Sequence, residues 1–247
     1  MTYKLIGVGT NAKTIKGDGS EYLTAILYMT PWKVMVDGKQ FNSCPMAEQA
    51  NCINGCLYTA GRGKFSNVQK ARMRKTEWFY RDREGFMEQL VQDIRKFVTY
   101  CYKRGIQPCV RLNGTTDIRW ENIKVKQQTK NFECEVTLFQ MFPSVQFYDY
   151  TKISNRKTKQ IHNYHLTWSY SGANVQYAAK LQDALDNGMN AAVVFRKPYT
   201  KSQWRDINVI DGDKDDLRFL DPKESIVALY AKGDAKKDAT GFVVDFN

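Results

Sequence analysis

Short β-forming runs recur along the whole chain, separated by polar or helix-forming segments, and this alternation restricts the fold more than any other feature. Residues 3–8 and 22–30 read as strands, the second ending at Pro31. Residues 34–36 read as a short extension before an Asp37-Gly38 turn. A helix is expected from near Ser66 or Asn67, and a stronger one from about Arg83. In the latter, Phe86, Leu90, Ile94, Phe97, Val98 and Cys101 recur every three or four residues as one apolar stripe. Asp82 stands where its cap belongs and Gly105 just past its end. Pro108 leads into a strand over 109–112. Residues 132–141 read as a helix, and 145–148 and 164–168 as strands. Asn174 opens a further helix, with Val175, Ala178, Leu181 and Leu185 on one face and Gly188 at its close. Residues 190–195, 209–210 and 226–230 complete the strands.

Strand, helix, strand repeated in this way predicts a mostly parallel sheet with helices outside it. The strand count suits a partial or full TIM-like (β/α) barrel, or a doubly wound open sheet. The 247 residues contain no internal repeat, Gly/Ser linker or low-complexity stretch. A single α/β domain over 1–247 is therefore expected. Its residues 1–63 supply N-terminal strands and a cysteine-bearing loop, and 64–247 the βα repeats.

In parallel α/β sheets the carboxyl ends of the strands form the active face. Here those ends run into Asn113-Gly114-Thr115-Thr116-Asp117, Asp149-Tyr150-Thr151-Lys152, Ser169, Arg196, Asp211-Gly212-Asp213 and Lys232. Aromatic residues stand among these polar groups, as in a lined pocket. Lys152, Arg196 and Lys232 are candidates to hold an anion; Asp149, Tyr150 and His165 are candidates to move a proton. The acidic run 211–216 lacks the EF-hand pattern and reads as a loop with solvated carboxylates. No P-loop, dinucleotide fingerprint or nucleophile elbow is present, which weakens ATPase, Rossmann dehydrogenase and α/β-hydrolase readings.

Lysine and arginine total 37 against 26 acidic residues, a net charge of +11, which favours nucleic acid or nucleotide partners. No run approaches the roughly 20 apolar residues that cross a bilayer. The residues before Gly7 lack the apolar core of a signal peptide. A cytoplasmic protein with reduced thiols, and no membrane partner, is expected.

In that setting the six cysteines are not a disulfide framework. Cys101, Cys109 and Cys134 are scattered, whereas Cys44, Cys52 and Cys56 form a C-x7-C-x3-C cluster in a long loop. Clustering under reducing conditions points to metal. A 4Fe–4S centre held by three thiolates leaves one iron open. A structural zinc site needs a fourth ligand, for which His165, Cys101, Cys109 and Cys134 are the candidates.

Residues 51–64, 110–121, 147–152 and 164–169 resemble a bacteriophage family named after gene product eighty-eight of mycobacteriophages. That resemblance covers most of the chain and implies a phage protein. A more distant one is to radical S-adenosylmethionine proteins, carried by Cys52, Cys56, Tyr58 and Ala60 and by Thr116 with Asp117. It differs from the usual C-x3-C-x2-C spacing, and Asn113-Gly114-Thr115 stands where Gly-Gly-Glu is usual. It implies a partial barrel and a 4Fe–4S cluster on Cys44, Cys52 and Cys56. It also implies S-adenosylmethionine near Asn113, Thr116, Asp117 and Ser169.

Three functions follow as expectations. The first is an iron–sulfur, radical S-adenosylmethionine-like enzyme acting on a nucleotide, nucleic acid or other anion. The second is a zinc-stapled nucleic-acid-binding protein. It would use Lys64, Lys70, Arg72, Arg74, Lys75, Arg81 and Arg83, interleaved with Trp78, Phe79 and Tyr80. The third is a metal-dependent nuclease built on Asp117, Asp149 and Asp213.

Overall fold

A computed structural model describes residues 4–9, 21–56, 58, 60–128 and 133–245. Its centre is a nine-stranded sheet in the order β1 (Ile6–Val8), β2 (Tyr22–Leu27), β5 (Gln107–Arg111), β8 (Gln146–Thr151), β9 (Tyr164–Ser169), β10 (Asn190–Phe195), β13 (Ile226–Tyr230), β12 (Ile207–Asp211) and β11 (Gln203–Trp204). From β2 to β12 all neighbours run parallel. The order steps one way from β2 through β10, and β13 then enters before β12. The expected mixed α/β architecture with a mostly parallel sheet is present. A closed barrel is not, because antiparallel strands end the sheet on both sides: β1 on β2, and β11 on β12.

The long connection from β2 to β5 carries a hairpin, β3 (Lys33–Val36) and β4 (Lys39–Asn42), then the cysteine loop, then two helices. Asp37 and Gly38 turn that hairpin with φ of 50° and 74°, the left-handed pair that a two-residue connection requires. Helices α1 (Ser66–Arg81) and α2 (Arg83–Tyr102) follow. The expected cap is present: the Asp82 carboxylate accepts from the Gly85 amide at 2.9 Å. The α2 stripe is buried as its spacing predicts, with Phe86, Leu90, Ile94, Phe97 and Cys101 all at 0% exposure. It packs on the sheet face formed by Ala25, Leu27, Val110, Leu112, Phe147, Leu166, Trp168 and Val193.

Two local readings are corrected. Residue 132 lies outside the described residues, and most of the rest of the helix expected over 132–141 is strand. There β6 (Lys124–Gln128) and β7 (Glu133–Thr137) pair as an antiparallel hairpin, and the one-turn helix α3 (Leu138–Met141) starts only afterwards. Thr137 and Gln140 form a capping box that fixes this start. Asn174 does cap a helix, accepting from the Tyr177 amide at 3.0 Å. That helix breaks into α4 (Val175–Ala178) and α5 (Leu181–Asp186), and Val175 is 85% exposed rather than packed.

The opposite sheet face mixes polar and apolar groups: Thr24, Arg111, Tyr148, Tyr150, His165 and Thr167 stand on it beside Ile26, Cys109, Ala192 and Val227, and the turn at 213–221 folds over it. Phe219 of that turn meets the rings of Tyr22 and Tyr148 edge-on or tilted, 5.2 and 5.4 Å between centroids. The acidic run is solvated at Asp211 and partly so at Asp213 and Asp215, but not at its end, Asp216. Asp216 is 3% exposed and accepts from Arg111 Nη1 at 2.5 Å, and Tyr150 Oη donates to its other oxygen at 3.3 Å.

Candidate functional site

The cysteine loop is pinned at both ends to the carboxyl end of the sheet. The Asp117 amide, after β5, donates to the Ser43 carbonyl at 2.8 Å. Ser171, after β9, donates from its hydroxyl to the Ala50 carbonyl at 2.7 Å. Cys44 lies between these anchors and Cys52 and Cys56 follow the second; all three are half-buried, and none is in a disulfide. The Cys44 thiol lies 3.8 Å from the Thr115 carbonyl, and the Tyr58 amide donates to Cys56 Sγ at 3.4 Å. Burial pushes the Cys44 thiol up to about 12 and raises Cys56 as well, so both are protonated at neutral pH in this arrangement.

Lys152, just past β8, is the hub of this end. Its ammonium donates to Ser169 Oγ at 2.8 Å and sits 4.6 Å from the centre of the Phe242 ring. Cys52, Asp117, Cys56 and Cys44 all lie within electrostatic reach of it, and burial lowers its pKa. A second cation enters from α1. Arg72 is 8% exposed and lies 4.9 and 5.2 Å from the centres of the Tyr28 and Tyr58 rings. Its Nη1 reaches the Tyr58 carbonyl at 3.4 Å, while its Nε has no partner. Gly63 permits this approach: a Cβ there would stand 2.5 Å from the Tyr58 carbonyl oxygen and 3.3 Å from Arg72 Nη1.

The C-terminal segment covers the loop. Phe242 packs where a Cβ on Gly55 would fall, 2.9 Å away, and joins Ala231, Ala235 and Val243 in a small cluster of its own. Arg196 ties this segment down, bonding Asp245 at 2.6 Å and the carbonyls of Lys236 and Asp238 at 3.0 and 2.7 Å. Expected as an anion holder, Arg196 is thus occupied as a strap anchor. Lys232 is exposed and pairs with Asp213 at 2.7 Å.

The remaining expected site residues divide into groups. Asn113 is 3% exposed, and its side-chain oxygen accepts from Thr116 Oγ1, the Ile118 amide and Trp120 Nε1 at 2.9, 2.9 and 3.1 Å. Asn113 and Thr116 therefore organise their own turn. Asp117 accepts from the Lys152 amide at 2.8 Å and pairs with Arg156 Nη1 at 3.3 Å. Asp149 is fully buried, accepting from the Asn113 and Leu112 amides at 2.9 and 3.3 Å and from Tyr164 Oη at 3.2 Å. Alternation along β8 puts Tyr150 on the other face from Asp149, bonded to Asp216. His165 lies beside Arg218 with Nε2 unpartnered, and burial lowers it to about 4. The nuclease carboxylates Asp117, Asp149 and Asp213 thus each serve different partners. Among the described residues no three His, Cys, Asp or Glu side chains close on a single-ion position.

A family model with the description "Gene product 88" matches residues 4–245 of the chain. The chain belongs to the gene product 88 family. This is the phage family that its sequence resembles; a radical S-adenosylmethionine relationship is not shown. No curated protein and no solved structure matches it. Among the described residues, no helix of this gene product 88 family member is long and apolar enough to cross a membrane.

Two site residues escaped the sequence reading. Arg156 is 2% exposed and bonds Glu121 through two nitrogens, with Tyr164 Oη 3.2 Å away. Nothing in its local sequence marks it. Arg72 was counted only within a basic surface segment. Its spacing from Thr76 and Phe79, which share the buried face of α1, is the signal that places it inward. The rings of that segment are packed: Phe79 is 2% exposed, Tyr80 stacks on Phe41 at 4.2 Å, and Trp78 meets Phe86 at 5.7 Å.

Proposed function

We propose that this protein is an iron–sulfur enzyme whose centre is held by Cys44, Cys52 and Cys56 at the carboxyl end of the parallel sheet. The observation that carries this reading is the gathering of three half-buried thiols around Lys152 by a loop pinned between the β5 and β9 ends. The donor set fits three-thiolate ligation better than structural zinc, which needs a fourth ligand. The candidates for that place lie elsewhere: Cys101 in the α2 core, Cys109 within β5, Cys134 in β7, and His165 beside Arg218. The one-directional strand order from β2 to β10 supports a partial-barrel relationship, in which the carboxyl end is the reacting face.

When bound, such a centre supplies a single electron and an open iron position. Around it, Lys152 and Ser169 offer an ammonium and a hydroxyl to an anionic substrate group. Asp117 fixes Lys152 through its amide, and Arg156 fixes Asp117. The Phe242 segment keeps water from the thiols. The +11 charge favours nucleotide or nucleic-acid substrates in a cytoplasmic setting. S-adenosylmethionine bound through Asn113 and Thr116 receives no support, since their side chains are engaged within their own turn.

Anaerobic reconstitution with ferrous iron and sulfide tests the proposal. Iron and sulfide bound together, with visible absorption and a paramagnetic signal on reduction, are expected. Ala at Cys44, Cys52 or Cys56 should abolish them, and Cys101→Ala should leave them intact. Uptake of stoichiometric zinc with no iron would overturn the reading.

A further inference from the structure

We propose that Arg72, together with Lys152, is the counter-charge of the thiol centre, a residue that holds and tunes the bound cluster without ligating it. This rests on the iron–sulfur reading above. Four guanidiniums are below 9% exposure: Arg72, Arg111, Arg156 and Arg218. Arg111 pairs with Asp216, Arg156 with Asp117 and Glu121, and Arg218 with Asp215 and Asp221. Among the described residues Arg72 alone of the four has no carboxylate in contact; it has one carbonyl and two ring faces, and its Nε, like those of Arg111 and Arg218, has no partner. A buried charge left this way is costly and is retained where something else balances it.

What lies beside it is the cysteine loop, with Cys56 within electrostatic reach of both Arg72 and Lys152. Lys152 repeats the pattern: among the described residues its ammonium meets the Ser169 hydroxyl and carbonyl and the Phe242 ring, with no carboxylate in contact. Lys152 lies within electrostatic reach of all three thiols and Arg72 within reach of Cys56, so both cations stand beside the loop that would hold the cluster. A 4Fe–4S core held by three thiolates is a net anion in both its oxidised and reduced forms. Bound there, it would place negative charge beside both cations. Charge and hydrogen bonding around the sulfurs set the potential of such centres. Arg72 is suited to that role because its guanidinium stays charged when buried between aromatic faces.

The test compares wild type, Arg72→Met and Arg72→Lys after anaerobic reconstitution with limiting ferrous iron and sulfide, reading iron per chain and the reduction potential. Arg72→Met should bind iron on the order of tenfold more weakly, in the range seen when groups supporting metal ligands are removed. Its potential should be more negative, because a positive charge that favours the reduced form is gone. Arg72→Lys should restore both towards wild type. The metal-free Arg72→Met protein should unfold at no lower urea concentration than wild type, since an unbalanced charge has left its interior. Wild-type iron content and potential in Arg72→Met would overturn the inference and leave the iron–sulfur centre standing. Equal iron loss in both variants with an earlier urea transition would assign Arg72 to packing and overturn it as well. No iron in wild type would overturn both proposals together.

Discussion

On the sheet face covered by the 213–221 turn, buried charges are matched at contact distance: Arg111 with Asp216 at 2.5 Å, Arg218 with Asp215 and Asp221 at 3.2 Å each. At the carboxyl end, Arg72 and Lys152 meet rings, a carbonyl and a hydroxyl, but no carboxylate. Both regions are polar and largely buried, so burial alone does not distinguish them. The difference lies in whether the chain supplies its own counter-charge. The first region sets a carboxylate against each buried guanidinium and ties the turn to the sheet, although Arg111 Nε, Arg218 Nε and His165 Nε2 there have no hydrogen-bond partner; the second sets no carboxylate against Arg72 or the Lys152 ammonium among the described residues.

The sharpest way to break this comparison is to unbalance the complete region. Asp216→Ala strips Arg111 of its nearest carboxylate, leaving Asp149 at 3.9 Å, and Tyr150 of its acceptor. A buried pair broken on one side costs about 3–5 kcal/mol. Urea denaturation of the metal-free protein should show a loss of that size. If Asp216→Ala and Arg72→Met cost the same, the two regions do not differ in the way described here.

Much of this architecture is legible in the sequence. The parallel sheet follows from the alternation of strands and helices, and the α2 stripe from its spacing with the Asp82 cap. The cysteine loop stands out because three thiols lie within residues 44–56. What escapes reading is pairing over long separations. Asp216 looks solvated in a run of aspartates because its partner Arg111 lies 105 residues away. Asn113 and Thr116 look like cofactor groups because their types are polar, yet the acceptors and donors that use them lie within seven residues. Residues 133–137, part of the run expected to be helical, pair with β6 instead, because the strand partner lies outside that run; the capping box at Thr137 starts the helix only at Leu138.

A smaller effect sharpens the comparison through pH. His165 sits on the complete face beside Arg218, with its pKa lowered to about 4 by burial and then by that cation. In the unfolded chain it titrates near 6.5. Above that pH both states hold it neutral. As pH falls from about 6.5 towards 4 the unfolded state takes the proton first, so folding stability falls across this window and the loss is complete below it. Discounted for its partial exposure, the loss attributable to His165 is about 2 kcal/mol. His165→Gln should flatten that part of the stability-against-pH curve, measured by urea midpoints at pH 7, 5.5 and 4. Parallel curves for the two proteins would mean that neither burial nor Arg218 lowers this imidazole.

The smallest effect concerns the strap that covers the thiol end. Lys64 and Asp234 pair at 3.2 Å with side chains 52% and 49% exposed, joining the cysteine-loop side to the C-terminal segment. Exposed pairs of this kind contribute about 0.2–1 kcal/mol and are screened by salt. Lys64→Ala should therefore change global stability by less than about 0.5 kcal/mol and by still less at high salt. Its consequence should be local. The strap's cluster of Ala231, Ala235, Phe242 and Val243 is separate from the main core, so it can open without unfolding the sheet. Loosening one tether should raise the rate at which Cys44, Cys52 and Cys56 react with a thiol reagent, while Cys101, in the α2 core, stays protected. An unchanged rate at the three loop cysteines would place the hold on the strap in the Arg196 bonds and the Phe242 packing instead. A parallel rise at Cys101 would mean that strap and core open as one unit, and the thiol end would lose the independence that separates it from the paired face of the sheet.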